Sequence, residues 1–145
     1  MATNPRIGQS SAFTPSVCVH RGRFHMVFVA NNDTRELLHA VSENGLNWSR
    51  LNNVGQTTKS APALASFGNQ LRVVFVANND TNTLLETIFD DSADVWTKNT
   101  PITTVNGTVT TSESSKAGPV IALNNGLFMY YVANNNSNDL LALHI

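Results

Sequence analysis

The side chains best suited to hold a polar ligand recur in one phrase. It reads "ANNDTRE" from Ala30, "ANNDTNT" from Ala77 and "ANNNSND" from Ala133. Planar amides and short carboxylates offer paired donors and acceptors at the spacing of vicinal sugar hydroxyls, which is how carbohydrate is commonly held. Asn31, Asn32, Asp33 and Arg35, with Asn78, Asn79, Asp80, Asn134 and Asn135, are therefore candidate carbohydrate-binding residues. Trp48 and Trp96 join them as candidate sugar platforms, although an indole at such a position more often serves as a blade-packing anchor. Asn and Asp also tolerate left-handed backbone and cap their own turns, so the phrase fits a purely turn-forming role as well.

Other constellations are poorer. Sialic acid cleavage needs clustered arginines, a nucleophilic tyrosine and an acid. Here the arginines end at Arg72, and the only tyrosines, Tyr130 and Tyr131, fall on an apolar run. The repeated carboxylates Asp33 and Asp80, or Glu36 and Glu86, would lie too far apart around a ring to act on one glycosidic bond. The expectation is that the chain is not an enzyme. His20, His25, His39 and His144 occupy non-equivalent positions without ligand spacing, so neither metal nor any other cofactor is expected. Cys18, the sole cysteine, excludes an intrachain disulfide and reads as a small buried hydrophobe.

Positioning these residues falls to a repeat. Pro15, Pro62 and Pro119 are 47 and 57 residues apart, and Leu37-Leu38, Leu84-Leu85 and Leu140-Leu141 follow each Val-Ala-Asn-Asn at a constant offset. A period near 47 is that of a propeller blade. Within each copy, β-branched and aromatic runs alternate with Asn, Gly, Asp and Ser clusters, the pattern of strands joined by tight turns. The first copy gives strands "PSVCVH", "RFHMVFVA", "ELLHAVS" and "NWSRLNNV"; the second gives "PALASF", "QLRVVFVA", "TLLETIF" and "VWTKNTPI". The third gives "GPVIAL", "GLFMYYVA" and "DLLALHI" with no fourth strand, while "IGQSSAFTP" from Ile7 aligns without a gap on "VGQTTKSAP" from Val54.

The expected fold is therefore an all-β propeller with three four-stranded blade repeats per chain. Residues 1–9 are an outer strand, 10–56 the first blade, 57–113 the second and 114–145 the third. Propellers need about four to eight blades. A six-bladed ring completed by a homodimer, each N-terminal strand pairing with the partner's third blade, satisfies that count, and such a dimer is expected to be obligate. Asn106-Gly107 within residues 103–111 marks a hairpin inserted after the second blade. Strand order places the Asn-rich turns and the connections "GQSSAFT", "GQTTKSA" and "TSESSKAG" on one face of the ring.

A net charge of −1 without basic blocks leaves no footprint for nucleic acid, and no run approaches a membrane span. Neither partner is expected. The N-terminus has no apolar h-region, so cytoplasmic synthesis without a signal peptide is expected, with release by a non-classical route. The sequons at Asn32, Asn47, Asn79, Asn106 and Asn135 then read as polar turn residues.

The stretch "SENGLNW", Ser42 to Trp48, resembles the S-x-D-x-G-x-x-W turn called the Asp box or BNR repeat of sialidase-like propellers, and "DDSADVW", Asp90 to Trp96, is a weaker version. The whole chain is similar in arrangement to small propeller lectins of bacteria and fungi, whose short chains assemble into one sugar-binding ring. That resemblance implies a multivalent, haemagglutinating lectin with a glycan or monosaccharide ligand. It departs from the fucose-binding members, because Trp48 and Trp96 have only Met1 at the third equivalent position. The alternative function is a protein-interaction ring, or the targeting subunit of a toxin or adhesin.

Overall fold

Alternation at period two predicts strands, and strands are what the chain builds. A computed structural model describes residues 6–97, 99–102 and 113–145. The expected hairpin at 103–111 and residues 1–5 of the expected N-terminal strand lie outside the described residues.

Three antiparallel sheets follow one another along the chain. The first sheet holds β1 (Ser16–His20), β2 (Arg23–Val29), β3 (Glu36–Ser42) and β4 (Ser49–Thr57) in sequential order. The second holds β5 (Ala63–Phe67), β6 (Gln70–Val76), β7 (Leu84–Asp90) and a broken outer strand, β8 (Val95–Trp96) and β9 (Thr100–Pro101), both paired with β7. The third holds β10 (Val120–Leu123), β11 (Leu127–Val132) and β12 (Leu140–His144).

Turn chemistry fixes the registers. Arg21 and Gly22 join β1 to β2 with φ of 49° and 78°, and Gly68 and Asn69 join β5 to β6 with 59° and 63°. Two successive left-handed residues are the signature of the two-residue hairpin whose twist matches that of the strands. The outer strands are less regular: β4 shifts register twice against β3.

Each sheet packs one face on the next. Val27, Val29 and Leu37 of the first sheet meet Leu64, Leu71, Val73 and Phe75 of the second, closed over by Val54 and Phe89. Val74, Val76 and Leu84 of the second meet Met129 and Tyr131 of the third, with Ile102 beside them. The innermost strands β1, β5 and β10 lie side by side, as neighbouring blades require. At their starts, Gly118 approaches Ala61 so closely that a Cβ there would sit 2.4 Å from the Ala61 carbonyl oxygen. The first sheet also buries an outward cluster, Met26, Phe28, Ala30, Leu38 and Ala40, with half-buried Trp48 against it.

Candidate functional site

The Asn-rich turns leave β2, β6 and β11 in one repeated conformation. Asn32 accepts the Thr34 backbone N–H at 3.0 Å and the Thr34 hydroxyl at 2.6 Å; Asn79 does the same for Thr81. Asn135 accepts the Ser137 N–H at 2.9 Å and its hydroxyl at 2.6 Å. The second Asn of each phrase is thus a turn former through its carbonyl oxygen, which leaves its side-chain amide outward. Left-handed backbone falls elsewhere than the phrase suggests: Arg35, Asn82 and Asn138 carry φ of 56°, 55° and 57°. Asn31, Asp33, Asn78, Asp80 and Asn134 are exposed around these turns.

The first Asn of the third turn lies beside the left-handed residue of the second. The Asn82 amide donates to Asn134 at 2.8 Å, spanning the groove between the second and third sheets. At the equivalent groove between the first and second sheets the left-handed residue is Arg35, whose guanidinium lies 5.2 Å over the Phe13 ring. Lys116 donates to Asn138 at 2.6 Å, and Lys59 to the Asn79 carbonyl.

The connections between sheets share this face, as the strand order requires. One hydroxyl in each is spent on structure. Ser11 donates to the Phe13 carbonyl and accepts the Val29 N–H; Ser115 likewise joins Ala117 to Val132. Thr58 donates to the Val76 carbonyl at 2.8 Å and accepts the Ser60 N–H. Isolated bridges Ser11 to Ala30, Thr58 to Ala77 and Ser115 to Ala133 complete a clasp made three times.

The tryptophans lie apart from these grooves. Trp48 packs on the outward cluster of the first sheet and donates to the Gly45 carbonyl at 3.0 Å. It closes a turn in which Ser42 accepts the Asn44 and Gly45 N–H groups and Asn44 accepts those of Leu46 and Asn47. A shallow 250 Å³ pocket opens beside it, between Val41 and Ser49. Trp96 packs between the first two sheets against Phe89 and His39. Neither is near the Asn-rich turns of its own sheet, which sit at the other ends of the strands. A second cavity of 360 Å³ lies where the three innermost strands begin, lined by Pro15, Ser16, Pro62, Ala63, Pro119 and Val120 among others.

Sequence spacing missed one cluster. His20, His25 and His39 come together between the first two sheets, because cross-strand pairing on β1, β2 and β3 brings non-equivalent positions into one row. His25 Nδ1 and His39 Nε2 are 2.9 Å apart and share one proton. Burial pushes both imidazoles down to about 4, and neighbouring positive charge, from His20 and Arg23 on His25 and from His25 on His39, acts in the same direction. His20 bonds Ser66 through Nδ1 at 2.6 Å and Asp91 through Nε2 at 2.9 Å, with Arg21 beside the carboxylate. The signal available in the sequence was a histidine on each of three successive strands. Cys18 on β1 is half-buried, and burial pushes its thiol up to about 11, so it is protonated at neutral pH. Among the described residues no three His, Cys, Asp or Glu side chains cluster to hold a metal, and no helix is long and apolar enough to cross a membrane.

No protein-family model and no curated protein matches the sequence. Solved structures do match. A family-43 protein of a Bacteroides ovatus xyloglucan locus superposes with a TM-score of 0.60 at 13% identity, over 96% of this chain and 28% of that one. An alpha-L-arabinofuranosidase from Clostridium thermocellum gives 0.61 at 13%, over 90% and 50%. A family-32 beta-fructofuranosidase from Bombyx mori gives 0.57 at 11%, over 91% and 32%. The chain therefore spans half or less of the length of these structures. They are β-propeller glycosidases, and the fold of this chain is propeller-like. The expectation that the chain is not an enzyme is corrected by these neighbours, all of them glycoside hydrolases. That expectation rested on a missing sialidase constellation and on repeat-equivalent carboxylates, whereas the fold brings non-equivalent side chains together, as His20 and Asp91 show.

Proposed function

We propose that the protein recognises carbohydrate on the face that carries the Asn-rich turns, as a multivalent lectin. The observation that carries this reading is the groove between the second and third sheets. There Asn82 and Asn134 meet across it, and the turns that carry them hold the exposed side chains of Asn78, Asn79, Asp80, Asn135 and Asp139. Amides whose partners are other surface amides can trade them for sugar hydroxyls at little cost, since each bond exchanged is replaced by another of the same kind. Propeller neighbours that act on arabinose-, fructose- and xyloglucan-related glycans support the ligand class. Three sheets fill half of a six-bladed ring, and a second copy fills the rest. Six grooves of three kinds would then act together on a glycan-covered surface, each individually weak site gaining from its neighbours.

A glycan array that includes arabinan, fructan and xyloglucan fragments tests the reading. Binding competed by the corresponding free sugar is expected, and an array that stays blank refutes it. Incubating the bound glycans and measuring new reducing ends shows whether hydrolysis accompanies binding.

A further inference from the structure

The three sheets are built from one repeat, so each position has two internal controls. Leu37 and Leu84 are fully buried, each against the following sheet; Leu140, in the same position of the third sheet, is 81% exposed. Val27 and Val74 are likewise fully buried, whereas Tyr130 at that position is 43% exposed. Val120 lies beside Tyr130 by register, and Ala142 opposite it, so the outer face of the third sheet is an apolar surface on which no sheet packs among the described residues.

The complementary half is present at the other end of the chain. Gly8 and Gly55 stand in equivalent positions and share one backbone conformation, φ of 81° and 80°. Gly55 lies in β4, so the segment around Gly8 already has the shape of an outer strand's end. Ile7 lines a small cavity with Met26 and Phe28 on the first sheet, as Val54 packs on Val73 and Phe75 of the second. Val54 is 4% exposed and Ile7 41%, the difference being the sheet to which Val54 belongs. Val17 and Val19, on the same side of the first sheet, are also exposed.

We infer that the outer face of the third sheet is a docking surface for a second copy of this chain, whose first sheet packs on it and whose residues 6–9 pair beside β12. The occupant is a second copy because the uncovered face of the third sheet stands where Val27, Val29 and Leu37, and Val74, Val76 and Leu84, make the two interfaces within the chain, and because residues around Gly8 repeat the outer-strand end around Gly55. Docking has a consequence for the site, and this part rests on the carbohydrate reading above. The third groove has Asn138 and Lys116 on one wall only. Its other wall is Asn31 of the second copy, in the role that Asn134 plays towards Asn82.

Sedimentation at micromolar concentration is expected to give twice the chain mass of 15.7 kDa. The Leu140→Asp variant should sediment as one chain with its far-ultraviolet circular dichroism retained, because that side chain touches little within its own chain. A wild-type protein that sediments as a single chain overturns the inference, and so does a Leu140→Asp protein that stays dimeric. A second measurement covers the case in which the lone chain fails to fold. Asn53 faces Leu38 across β4 and β3, so by the repeat Arg6 of one copy should face Leu141 of the other. In a Cys18→Ala background, mixing Arg6→Cys chains with Leu141→Cys chains should form a disulfide-linked pair, and its absence counts against docking. A short bismaleimide should likewise join Asn31→Cys chains to Asn138→Cys chains; failure there removes the shared groove. No sugar enters these readouts, so a blank glycan array alongside cross-linked dimers would refute the ligand class alone.

Discussion

Two seams built from the same repeat have filled the same spot with different chemistry. Between the first and second sheets it holds His25 and His39, 2.9 Å apart and almost fully buried. Between the second and third sheets the equivalent residues are Arg72 and Glu86, an ion pair at 3.2 Å with both side chains partly open to solvent. Around both spots the aliphatic contacts hardly change: Val27, Val29 and Leu37 in one, Val74, Val76 and Leu84 in the other. The repeat thus fixes the apolar frame. What stands inside the frame is free to differ, and one seam has become sensitive to acid while the other relies on charge.

The largest test of that contrast is pH. Each buried histidine has a folded value of about 4 against 6.5 for the free side chain. The unfolded chain therefore takes up protons first as pH falls, and stability is lost progressively between about 6.5 and 4. At roughly 1.4 kcal/mol per unit this amounts to about 3 kcal/mol for one histidine, and less than double for two that share a hydrogen bond. Chemical denaturation at pH 7.5 and pH 4.5 should show the loss, and a His25→Phe, His39→Leu double variant should remove most of that difference.

Trp96 belongs to the acid-sensitive seam, where it packs on Phe89 and donates to His39 at 3.3 Å. Trp96→Ala should cost about 3 kcal/mol, towards the lower end for a large aromatic because the side chain is only half-buried. Denaturant midpoints would register this; a midpoint unchanged from wild type would mean that the indole serves a ligand instead. On the charged seam, Glu86→Ala leaves the Arg72 guanidinium with Gln70 as its remaining partner, its Nε being already buried without one among the described residues. A loss of about 1 to 2 kcal/mol is expected, below the value for a fully buried pair. Smallest of all, Asn32→Ala removes two exposed turn bonds and should cost about 0.5 to 1 kcal/mol, with Asn79→Ala the same within error. A markedly unequal pair would show that the two turns are not equivalent.

Strands and faces were legible because they depend on period: the inner three strands of every sheet fall where alternation places them, within a residue or two. The outer strand of the second sheet was not, since Thr97 turns its hydroxyl and carbonyl to β7 and breaks the pairing between β8 and β9. Within the Asn-rich phrase, residue type suggested left-handed backbone, yet it occurs at Arg35, Asn82 and Asn138 because the second Asn bonds two residues ahead and passes the turn onward. The histidine row was hidden for a different reason. Its members become neighbours through cross-strand pairing and the packing of sheet on sheet, and neither leaves a fixed spacing along the chain.

The clasp formed by Ser11, Thr58 and Ser115 bears on affinity. Each hydroxyl ties a connecting segment to the end of the strand that launches an Asn-rich turn, and two of the three are fully buried. The turns are therefore held in shape before anything binds. A ligand would meet preorganised amides and lose little of its interaction energy to ordering the loops that hold it, a cost of about 0.5 to 1.5 kcal/mol for each flexible side chain that must be immobilised. On the proposed carbohydrate reading, individually weak sites could then discriminate by geometry.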